Sequence, residues 1–94
     1  MATDQLNSPR TAVTAEQARR LADDFVWKNL GDLIGAGKPQ HAVSPLGSVW
    51  VVPLIFSNAS SGPLGVVGVI VVDDRLNQIV AATPTEEIKA AASG

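Results

Sequence analysis

The sequence predicts an α+β fold: one N-terminal helix packed on a three-stranded antiparallel meander, with a short C-terminal helix. Three observations carry this. Apolar residues recur at three- and four-residue intervals across 14–30. Two stretches, 47–56 and 65–73, are dense in β-branched side chains and are separated by a Ser/Gly-rich turn. "TPTEE" at 83–87 then combines a threonine, a proline and acidic residues, which is a helix-start signal.

Residues 1–12 are polar, contain Pro9 and lack a hydrophobic period, so a flexible tail is expected there. A single domain is expected over 13–94. Its first helix opens at Thr14, with Gln17 at the spacing of a capping box. Ala18, Leu21, Ala22, Phe25 and Val26 form one apolar stripe, and Gly31 is placed to end the helix. Trp27 lies beside the stripe, where it suggests a second contact surface. "GDLIGAGKP" reads as a loop with at most a helical turn.

In "GSVWVVPLIF", Trp50, Val52, Leu54 and Phe56 share one face, while Val49, Val51, Pro53 and Ile55 share the other. Pro53 lacks an amide hydrogen and belongs at an edge or beside a bulge. The next strand, 65–73, sets Val67, Val69 and Val71 against Val66, Gly68, Ile70 and Val72. Asp73 to Asn77 make a tight polar turn in which Asn77 takes positive φ, and "QIVAAT" pairs back as the third strand. For the closing helix, Thr83 is the expected N-cap, Pro84 the first helical residue and Glu86 the third.

Composition narrows the function. The 94 residues contain no cysteine, which removes disulfides, thiol catalysis and cysteine-ligated metals. A net charge of −2 gives no basic excess for nucleic acid or an anionic membrane. The polar start lacks the apolar core of a secretory signal, and no apolar run approaches the ~20 residues of a membrane helix. A cytoplasmic location is therefore expected, with no nucleic-acid or membrane partner.

The candidate chemical motifs are weak. "GAGKP" lacks the spacing, the hydroxyl residue and the preceding strand of a phosphate loop. His41 is the one histidine, with no nucleophile or ligand beside it in sequence, and reads as an ordinary histidine in a loop before a strand. Asp23–Asp24 diverge on their helix, and Asp73–Asp74 are explained by the turn, so neither pair is expected to hold a metal. Arg19–Arg20 beside those aspartates read as a solvated helix face. No catalytic residue and no cofactor are expected.

One helix covers one face of such a sheet. The other face still carries branched apolar residues, and an exposed apolar patch of this kind marks an interface. A homodimer is the expected cover, by face packing or by extension of the sheet across an edge. The alternatives are a different protein partner, the C-terminal helix with Ile88, or a monomer whose strands twist enough to hide both faces under helix, loop and tail. The expected interface residues are Trp27, Trp50, Val52, Leu54, Phe56, Val67 and Val69.

Residues 14–84, through "VWVVPL" and "GVVGVIVVDDRLNQIVAATP", resemble small helix-plus-sheet domains of the PepSY type, with their W-x-V hairpin and acidic turn. Asn77 stands where the turn glycine of such domains would be. The chain also looks like small bacterial and cyanobacterial proteins of toxin-immunity or uncharacterised type. The resemblance implies a non-enzymatic binding or inhibitory module and carries over no active-site residue. Two other readings stay open: a ligand-binding or enzymatic pocket between helix and sheet using His41 and an acidic residue, and a structural subunit of a larger assembly.

Overall fold

The computed structural model describes residues 13–45, 47–58, 60 and 62–93; the tail expected over 1–12 lies outside them. The element order is α1 (Ala15–Leu30), β1 (Ile34–Ala36), β2 (Gln40–Ser44), β3 (Gly47–Asn58), β4 (Gly62–Asp73), β5 (Ile79–Ala82) and α2 (Thr85–Ser93). The class is α+β, with five strands where the sequence reading expected three.

Helix α1 starts as its sequence dictates. The Gln17 amide donates to Thr14 Oγ1 at 3.1 Å, and the Thr14 amide donates to Gln17 Oε1 at 2.9 Å. This reciprocal pair satisfies two of the orphan donors of the first turn. Gly31 ends the helix at φ 90°, its amide donating to the Val26 carbonyl.

The long β3–β4 hairpin is the spine of the sheet. Val51 faces Val71, Val52 faces Ile70, Pro53 faces Val69 and Leu54 faces Gly68. Strand β5 adds to β4 at Ile70–Val72. On the other side of β3 lie β1 and β2, end to end, in the stretch read from sequence as a loop. The glycines and Pro39 that suggested a loop mark the break between these two short strands. That break falls opposite Pro53. Its carbonyl accepts from the Gly37 amide at 2.7 Å, but proline has no hydrogen to return, so the ladder is interrupted there. Pro53 therefore sits inside one of the two longest strands, next to a register shift at Leu54/Ile55.

The core lies on one side of the sheet. Val52, Leu54, Ile70 and Val72 are fully buried against Ala18, Ala22 and Val26 of α1 and Ile88 of α2. Both helices thus share one face. Gly68 makes room for α2: a Cβ there would come within 2.9 Å of Ile88 Cγ1. Thr83 does not cap α2 as expected. Its hydroxyl accepts from the Val69 amide and its own amide donates to the Val69 carbonyl, so it prolongs the sheet contact. The Pro84 carbonyl accepts the first helical bond instead, from Ile88. Asn77 has φ 53°, as its turn requires.

Candidate interaction surface

The face of the sheet turned away from the helices is built by strand alternation. Val51, Pro53 and Ile55 of β3 and Val69 and Val71 of β4 point the opposite way from the buried set, and none of them belongs to the core cluster. Ala42 of β2 pairs with Val49, and Ala81 of β5 pairs with Val71, which widens the patch. Ala42, Val49, Val51, Pro53, Ile55, Val69 and Val71 shield one another and stay half-buried, Ala81 is exposed, and Val66 and Val80 at the margin are 62% and 56% exposed. No charged side chain lies among them; Asp73 and Arg75 stand at one end. Among the described residues, no helix packs over this face.

This corrects the interface expected from sequence. Val52 and Leu54 are fully buried under the helices, and Phe56 and Trp50 are half-buried on the same side. Both faces of β3 are apolar, so its sequence alone does not say which one α1 takes. Val67 lies past a register shift and packs against the margin of the core. Val69 does belong to the open face. Trp27 is 65% exposed on α1, beside a shallow depression lined by Asp23, Asp24, Asp32 and Gly35.

Trp50 has a different task. Its indole Nε1 donates to the Val13 carbonyl at 2.8 Å, and the Val13 amide donates to the Asp74 carbonyl. His41 packs edge-on against the Trp50 ring, with centroids 4.8 Å apart, and its Nε2 lies 2.7 Å from Asp74 Oδ2. Trp50 and Asp74 thus hold the chain entering α1 against the end of the sheet, and His41 braces both. His41 is in strand β2, not a loop, and it acquires its acidic partner from a residue remote in sequence. The pair satisfies a histidine and a half-buried carboxylate. Through these contacts the pair braces the chain entering α1 against the end of the sheet.

Several other charged groups pair within the fold. Glu16 pairs with Arg19 and Arg20, and Lys28 pairs with Asp24, along the solvated side of α1. Hydrogen bonds from Arg19, then Arg20, hold the Glu16 carboxyl below its usual range. Asp23, read as part of that face, accepts the Ala36 amide at 2.9 Å and so ties β1 to the helix. Asp73 accepts from the Leu76 and Arg75 amides, which lowers its pKa and closes the β4–β5 turn. Among the described residues, no group of three or more histidine or acidic side chains could hold a metal ion, and no helix is long and apolar enough to cross a membrane.

No family model, no curated protein and no solved structure matches this chain.

Proposed function

We propose that this protein is a non-enzymatic interaction module that works as a homodimer, with the outer sheet faces of two copies packed together. The observation that carries the reading is the uncharged, branched-aliphatic face of Val51, Pro53, Ile55, Val69 and Val71, opposite the helices. A surface without charge is complementary to itself, which a two-fold contact requires. A face of β-branched side chains suits sheet-on-sheet packing at about 10 Å.

The energetics support a modest affinity. Completing the burial of the six half-buried side chains Val49, Val51, Pro53, Ile55, Val69 and Val71 yields about 1 kcal/mol each, half the usual value for full burial, or about 12 kcal/mol for two copies. Association costs at least about 4 kcal/mol. At that minimum cost ~8 kcal/mol remains, which sets the tightest dissociation constant in the micromolar range. The resemblance of residues 14–84 to PepSY-type domains points the same way, to binding without catalysis.

Solution mass across a dilution series tests this. The expected result is twice the 9.7 kDa chain mass at high micromolar concentration, falling to 9.7 kDa on dilution. A monomer at every concentration up to about 1 mM, well above the expected dissociation constant, would overturn it.

A further inference from the structure

We propose that β4 has a second binding surface: an extended, uncharged, apolar strand of another protein adds to its open edge and drops side chains into the groove beside α2. Strand β5 pairs with β4 only at Ile70–Val72, and Thr83 extends that contact to Val69. Among the described residues, no strand pairs with Leu64–Gly68 on that side. The open stretch is about 16 Å long at the usual rise of a strand, and Pro63 bounds it at the hairpin end.

Beside this edge lies a groove of about 310 Å³ lined by Phe56, Leu64, Val66, Val67, Ala91 and Ala92. Its volume is about twice that of a cavity that holds one benzene, so it accepts two apolar side chains. Successive groove-facing residues of a strand are two apart, which matches one added strand presenting two side chains.

Three features select the occupant. An open strand edge offers alternating donors and acceptors, which another extended backbone satisfies in register. No residue from Ser60 to Val72 is charged, and the groove lining carries no charge, so a charged segment would lose solvation without compensation. Strand edges are commonly protected by a charge, and this one has none. Gly65 adds a further sign. Its φ of 148° suits glycine, and nothing lies within 4 Å of where its Cβ would be, so a second backbone can come close there. The surface meets the outer face only at Val66 and does not depend on dimer formation.

The test is a titration of ¹⁵N-labelled protein with a capped peptide of alternating threonine and valine, beside a control peptide of alternating lysine and valine. The expected result is saturable shifts at Leu64–Gly68, Ala91 and Ala92 with the first peptide, at least tenfold weaker with the control. Leu64→Lys places a charge on an exposed edge position. It should abolish the shifts while leaving the circular dichroism and the solution mass of the protein unchanged. No shift at about 1 mM peptide, the weak limit of specific recognition, would overturn the proposal. So would shifts confined to Val51 and Val71. Edge amides protected from exchange in the dimer and released on dilution would show instead that β4 pairs with a second copy, and would also overturn it.

Discussion

Val51 and Val52 are neighbours in β3, and identical substitutions should have opposite consequences. Val52 is fully buried between α1 and the sheet. Val52→Asp removes about 1.5–3 kcal/mol of apolar burial and adds the cost of an unpaired buried carboxylate, several kcal/mol more. A chain of 94 residues has a total stability of roughly 5–14 kcal/mol, so this variant should be largely unfolded. Val51 points to the open face and is only half-buried. Val51→Asp should cost the monomer about 1–2 kcal/mol, from lost methyl contacts and strand preference. In a face-to-face dimer the same change puts two carboxylates into one apolar contact. At 1.4 kcal/mol per tenfold, even a modest desolvation cost weakens the dimer at least about a hundredfold. Urea unfolding at low micromolar concentration reads the first effect, and sedimentation reads the second. A folded Val52→Asp protein would refute the assignment of the two faces. A folded Val51→Asp protein with unchanged mass would refute the contact surface.

Two further outcomes follow from the packing and the turn. Ile88 is the one side chain of α2 buried completely among the described residues, where it fits over Gly68. Ile88→Ala should cost about 2–5 kcal/mol, read as a lower urea midpoint with the earliest loss of exchange protection in α2; an unchanged midpoint would count against this docking. Asp73 has its carboxyl lowered by the Leu76 and Arg75 amides, so its contribution is complete above the unfolded value near pH 4 and fades as pH falls through the folded one. Asp73→Asn should therefore lose less stability between pH 7 and pH 3 than the parent does, by urea midpoints, and an equal loss in both would remove Asp73 from the acid response.

The local features of the fold were legible because their causes are local. Thr14 and Gln17 meet within one helical turn, and Asn77 needs only its own turn to reach positive φ. The long strands were legible because β-branched residues run through them. Strands β1 and β2 were not, since Gly35, Gly37 and Pro39 resemble loop punctuation and their pairing is dictated by the free edge of β3. The choice of buried face was hidden for a physical reason: Val51 and Val52 are the same residue type, and only the position of α1 and α2 tells them apart. The role of His41 depends on Asp74, which chain folding alone brings near. Trp50 was read as an interface residue, whereas its indole anchors the backbone of Val13, a contact that folding alone brings about.

In the proposed dimer, two copies meet through Val51, Ile55, Val69 and Val71. Isotope-filtered NMR on a mixture of ¹³C-labelled and unlabelled protein, at a concentration that favours the dimer, observes contacts between copies alone. Methyl contacts between copies are expected among these four residues. Contacts between copies confined to Leu64 and Val66, or to Trp27, would contradict it.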